Sequence, residues 1–230
     1  MFIGYSVIII IFTSLLTIPI SAFAQSNDDY VTFGKSIYGA SIKHPTDWHV
    51  EEGSDRSTRD DRVGYDIIAS LCPNSTLEYP YKDTMPDLSH CPFINEVVFS
   101  TANLPKNTSL DEYVSFVESS AKFSFTDYKV ENLTDTSVSD LPAKKLVYTY
   151  FGQYQGQDEF IKTIEVIALS GDKSYEITYK SPHLQFDDLF PIVQRMIDSI
   201  KILPMPPCNF VKNENASSSY DEEGKCVLRD

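Results

Sequence analysis

The sequence predicts an α+β domain built on a mainly antiparallel sheet. Three observations carry that prediction. Short stretches of alternating apolar and polar residues recur along the chain, as half-buried strands require. A run of four of them, from "YKVENLTDTSV" to "SYEITYK" (176 being the glutamate inside it), is joined by short turns without crossover segments. Two stretches instead follow the 3.6-residue period of a helix, and they stand apart from the strand run rather than alternating with it.

Taken in order, "YVTFGKS" and "YGASIKH" read as strands around a turn near Ile37–Gly39, with Ala40, Ile42 and His44 on one face of the second. Pro45 cannot continue a paired strand, so "PTD" is a turn and "WHVEE" resumes extended structure. Gly53 to Arg62 is a solvated polar loop. "YDIIASL" and "INEVVFSTANL" are strands. Ser109 and Glu112 form a capping box ahead of Leu110, Tyr113, Val114, Val117 and Ala121, one stripe of a first helix. After the first pair of the strand run, separated by a Ser-Asp-Leu-Pro turn, come "EFIKTIEVIAL" and "SYEITYK" around Ser170–Asp172. Tyr175, Ile177 and Tyr179 point inward. A long terminal helix is expected from Phe186 through Ile200, over four turns. Asp187 and Asp188 suit its positive N-terminal end, and Pro191 places its start near Asp187 or Asp188, within the first turn.

The ends define compartment. Residues 1–24 carry no charged side chain and run through an apolar core into "SAFA", which places Ala22 and Ala24 at an A-x-A cleavage site. This is the pattern of a secretory signal peptide, although no Lys or Arg precedes the apolar run. An uncleaved anchor is the alternative, since about 20 apolar residues span a bilayer. Either way the folded part is extracytoplasmic, with no membrane span after cleavage. The domain proper covers 25–203, with an insertion at about 57–94 and a polar tail over 204–230.

The net charge of −14 therefore belongs to the folded part. Such a surface repels phosphate backbones and offers no counterion-release drive, which excludes nucleic acid as a partner class. Four cysteines fit an oxidising compartment. Three connectivities exist; pairing Cys72 with Cys91 and Cys208 with Cys226 is favoured, because each closes a loop of about 20 residues worth roughly 3 kcal/mol. Zinc is the competing reading, but no C-x-x-C occurs and the histidines lack ligand spacing. Sequons at Asn74, Asn107, Asn132 and Asn215 add glycosylation to the expectation of a secreted surface protein.

The residues with the most chemistry lie in "ASIKHPTDWHV", Ala40 to Val50: His44, Asp47, Trp48 and His49. His44 and His49 are separated by a proline turn, and His90 and His183 are remote. The favoured reading is structural, with Trp48 as a core anchor. "GKS" at Gly34–Ser36 lacks the first glycine of a P-loop, since Asp29 stands there. No G-x-S-x-G elbow is present, so nucleophilic hydrolysis has no motif and no catalytic residue is assigned. Adjacent acids at Asp28-Asp29, Glu51-Glu52, Asp60-Asp61, Asp158-Glu159, Asp187-Asp188 and Glu222-Glu223 lack EF-hand spacing. Tyrosines at Tyr79–Tyr81 and Tyr150–Gln157 fall in expected loops, where they either serve recognition or cover their own hairpins.

With these elements placed, the chain resembles the PsbP family over about Asp29 to Ile202. The opening phrase "GASIKHPTDW" is similar to the family's G-F-S-I-x-Y-P-x-x-W at Gly39, Ser41, Ile42, Pro45 and Trp48, and "IDSIKI" at Ile197–Ile202 resembles the family's closing helix. Ala40 stands where Phe is usual and His44 where Tyr is usual. The Cys72–Cys91 excursion and the tail look like additions. The mix resembles secreted PsbP-like proteins of archaea, with no chloroplast transit peptide. The resemblance implies an α/β/α sandwich with helices on both sides of the sheet and the long C-terminal helix packed on it. It also implies a non-enzymatic binding or assembly role toward a protein partner, with no cofactor. The alternative is a cation- or small-ligand-binding protein that uses Ca²⁺ or Mn²⁺ at acidic loops.

Overall fold

The computed structural model describes residues 29–53, 65–74, 91, 95–154, 157–203, 217–220 and 226–229. Strands β1 (Tyr30–Lys35), β2 (Ala40–Pro45), β3 (Trp48–Glu52), β4 (Tyr65–Pro73) and β5 (Glu96–Asn103) precede helix α1 (Leu110–Ser124). Strands β6 (Thr126–Val138), β7 (Leu141–Tyr154), β8 (Gln157–Ser170) and β9 (Lys173–Pro182) lead to helix α2 (Phe186–Asp198). A short β10 (Lys201–Ile202) follows, and β11 (Ser217–Tyr220) pairs with β12 (Cys226–Arg229) as a separate hairpin.

Seven strands form one antiparallel sheet in the order β3-β4-β5-β9-β8-β7-β6, and β1-β2-β10 form a second, smaller sheet. Side chains alternate across the large sheet, which separates two layers. β9 sends Tyr175, Ile177 and Tyr179 to one face, where they meet Phe186, Val193 and Met196 of α2. On the other face Ile167 of β8 packs with Tyr113 and Val114 of α1. The sandwich with a helix on each side is therefore present.

Local chemistry explains the joints. Gly39 takes a left-handed conformation (φ 62°) to close the 3-10 turn Ser36–Tyr38. Ser139 and Asp140 both have positive φ, 51° and 64°, so the β6–β7 connection is a tight two-residue hairpin turn. Leu141 and Pro142, expected in the turn, instead begin β7 opposite Val138 and Ser137.

The expected capping box is formed. The Ser109 backbone N–H donates to Glu112 Oε2 at 2.9 Å, and the Glu112 N–H donates back to Ser109 Oγ at 3.3 Å. Replacing Ser109 by alanine should lower stability by about 1 kcal/mol, read as a shift of the urea midpoint at constant slope. A midpoint that does not move would show that α1 is held by packing alone.

The long terminal helix is corrected. α2 spans 13 residues, Phe186–Asp198, starting one residue before the expected window. Pro191 therefore stands in its second turn, where the missing N–H spares only the carbonyl of solvent-exposed Asp187. "IDSIKI" is not one helix. The chain leaves α2 at Ser199, whose Oγ accepts from the Lys43 N–H at 2.8 Å. Lys201 and Ile202 then pair with Ser41 and Ala40 of β2. Burying Ile200 and Ile202 against the small sheet satisfies the apolar pattern that reads as further helical turns.

Candidate binding surface

The opening stretch contributes several side chains to the interior. Ile42 is fully buried, and His44 and Trp48 are each 6 % exposed. Trp48 belongs to the main core. The Nδ1 of His44 lies 2.9 Å from the Pro45 carbonyl, which can only accept, so Nδ1 carries the proton of the neutral ring. Burial pushes the His44 pKa down, offset in part by that carbonyl. His44 sits on β2 of the small sheet and His49 on β3 of the large one, opposite Cys72, so the two do not converge. His183 is exposed on the turn before α2, and His90 lies outside the described residues.

Gly34 and Lys35 lie in β1 and Ser36 opens the 3-10 turn, which is no phosphate-binding strand-to-helix loop. Cys72 and Cys91 are bridged, with Cα atoms 5.7 Å apart. Cys208 lies outside the described residues, and Cys226 opens β12. Asn74, Asn107 and Asn132 are exposed, Asn107 in a turn with φ 66°; Asn215 lies outside the described residues. Among the described residues, no three His, Cys, Asp or Glu side chains gather to hold a metal ion, and no helix is long and apolar enough to cross a membrane.

What sequence reading missed is a buried polar layer beneath α1. Glu176, 1 % exposed, accepts hydrogen bonds from the Tyr113 hydroxyl at 2.5 Å and the Ser174 hydroxyl at 2.9 Å. Burial raises its pKa to about 8. Glu165, on the same face of β8, is raised to about 7 by burial, countered in part by the Lys180 ammonium. Beside it Tyr128, Tyr148 and Tyr150 form a ring cluster with Phe125, whose ring stacks on Tyr150 at 4.0 Å. Burial holds the Tyr148 and Tyr150 hydroxyls protonated and raises Tyr128 to about 12. The Thr163 hydroxyl lies within polar reach of Tyr148 and Tyr150, yet no bond of good geometry satisfies its Oγ1 or the Tyr128 hydroxyl. The even-numbered spacing of Ser174 and Glu176 between the inward tyrosines reads as a solvated face; only the helix lying over it makes that face interior.

The second missed feature is exposed. Phe151 and Phe160 are cross-strand partners in β7 and β8, their rings edge to face at 5.4 Å, and they are 36 % and 49 % exposed. The His183 N–H donates to the Phe160 carbonyl at 2.8 Å, which sets Leu184, 86 % exposed, beside this strand end. Phe123, 92 % exposed, lies in the last turn of α1, on the opposite side of the sheet. Phe151, Phe160 and Leu184 thus group on the α2 side of the sheet end where the β7–β8 hairpin closes. Tyr150, expected in a loop there, is instead a strand residue stacked on Phe125, so it covers its own hairpin. Tyr79–Tyr81 lie outside the described residues.

The fold is an α/β/α architecture of the PsbP type. No family model and no curated protein sequence matches the chain. Among solved structures it is similar to cyanobacterial PsbP (CyanoP) from Synechocystis sp. PCC 6803, with a TM-score of 0.51 and 9 % identity over 80 % of this chain and 98 % of that one. It is also similar to LpqN, involved in cell envelope biogenesis of Mycobacterium tuberculosis, with a TM-score of 0.47 and 11 % identity over 77 % of this chain and 87 % of that one. The Saccharomyces cerevisiae Ran-binding protein Mog1p follows at a TM-score of 0.43 and 8 % identity, covering 75 % of this chain and 95 % of its own. At such identities the likeness defines the fold, which is PsbP-like, and not a shared role.

Proposed function

We propose that this chain is a non-enzymatic, extracytoplasmic PsbP-like binding or assembly module that recognises a protein partner. The observation that carries this reading is the exposed apolar sheet end formed by Phe151, Phe160 and Leu184. A folded domain hides large apolar side chains where it can, and grouped exposed ones mark interaction sites. Aromatic rings supply much of the contact area of protein interfaces. The uncharged leader and the Cys72–Cys91 bridge support an oxidising, extracytoplasmic location. Membership among the PsbP-like proteins rests on the opening phrase together with the fold.

The test is capture from the native extracytoplasmic membrane fraction. Phe160→Ser combined with Leu184→Asp alters two exposed side chains and should leave folding intact. The unaltered protein should retain a specific partner, and the double variant should lose it by about tenfold or more, as removal of central anchors does. Repeated recovery of no specific partner, or equal recovery by both proteins, would count against the proposal.

A further inference from the structure

Resting on that reading of the sheet end, we propose that its occupant is a basic amphipathic segment of another protein, with apolar anchors flanked by lysine or arginine. Acids lie at the same sheet end. Asp127 follows Thr126, the partner of Phe151, at the start of β6, and Asp158 and Glu159 precede Phe160 on β8. Asp187 and Asp188, both exposed, follow Leu184 in the first turn of α2. The opposing bases are fewer than the acids. Lys129 is exposed on β6 opposite Thr149, Lys162 is already engaged, 3.1 Å from Glu131 and over the Phe186 ring at 5.1 Å, and Lys122 lies in the last turn of α1.

This charge pattern selects among occupants. A second copy would bring the same carboxylates face to face, and like charges across an interface cost binding energy. Anionic bilayers are repelled by the same acids, despite the apolar tip. A partner with apolar anchors and flanking cations fills the rings and neutralises the rim together. Rim pairs act over about a Debye length, roughly 8 Å at physiological salt, so they add encounter rate and salt dependence.

Two labelled peptides of equal length and apolar content, one lysine-flanked and one glutamate-flanked, provide the test by fluorescence anisotropy with the full folded protein. The lysine-flanked peptide should bind, and weaken about fivefold or more when salt rises from about 0.05 M to about 0.3 M. Phe160→Ser with Leu184→Asp should abolish binding. Asp187→Asn with Asp188→Asn should weaken it about threefold or more, whereas Asp140→Asn with Asp172→Asn, at the turns of the opposite sheet end, should not. Equal binding of the glutamate-flanked peptide overturns the proposal. So does binding that ignores the sheet-end variants, or binding to phosphatidylglycerol vesicles in place of the peptide. If neither peptide binds while capture from the native fraction still depends on Leu184, the basic partner class is wrong and the protein-binding reading stands. If that capture also fails, both fall.

Discussion

Thermal unfolding should show highest stability in mildly acid solution, with the midpoint falling as pH rises toward about 9. Glu165 and Glu176 carry this effect. Their folded values, about 7 and about 8, lie above the ordinary 4.5 because burial disfavours their charged forms. Between those values the folded chain holds protons that the unfolded chain has released, so raising pH favours unfolding. The contribution is fully present below about pH 4.5 and is lost as pH passes through 7 and 8. One pKa unit is worth about 1.4 kcal/mol, which puts each glutamate on the order of 3–5 kcal/mol. His44 works in the opposite sense. Its folded value is depressed, so stability is withdrawn as pH falls below 6.5, which offsets part of the glutamates' gain on that side. Glu176→Gln keeps an oxygen to accept from Tyr113 and Ser174 and removes the ionisation, so its profile between about pH 6 and 9 should be flatter. A midpoint that climbs over that range, or a Gln variant with unchanged slope, would show that the polar layer beneath α1 is hydrated.

Trp48→Ala should cost about 3–5 kcal/mol, the range for deleting a large buried aromatic. The ring is 6 % exposed in the main core, right after the turn that joins the small sheet to the large one. Its loss opens a cavity at that junction. Trp48→Phe, which refills part of the volume, should cost less. Denaturant midpoints decide the matter. A near-neutral Trp48→Ala that instead removed partner binding would make the stretch a site and not an anchor.

How much of this could be read in advance varies with the physics involved. The Ser109–Glu112 box, the proline stop at Pro45 and the alternation of Tyr175, Ile177 and Tyr179 are local signals, and each stands where local chemistry puts it. The end of α2 is different. Ile200 and Ile202 continue a helical apolar pattern, but the exposed edge of β2 offers backbone partners that only the tertiary fold brings near. Glu165 and Glu176 look like solvent-face residues of strands until α1 covers them. The sheet end escaped for a related reason. Phe151, Phe160 and Leu184 sit on three separate elements, and nothing in their spacing announces that the β7–β8 hairpin and the turn before α2 meet.

The central claim is that a protein partner seats on that sheet end. A photo-crosslinking residue placed at Leu184 in the native host tests it most directly, with the same probe at Leu133 on the β6 edge as comparison. The account predicts one dominant protein adduct from position 184 and none of that size from position 133. Equal adducts at both positions, or none at 184 in cells where the protein is folded and exported, would contradict it.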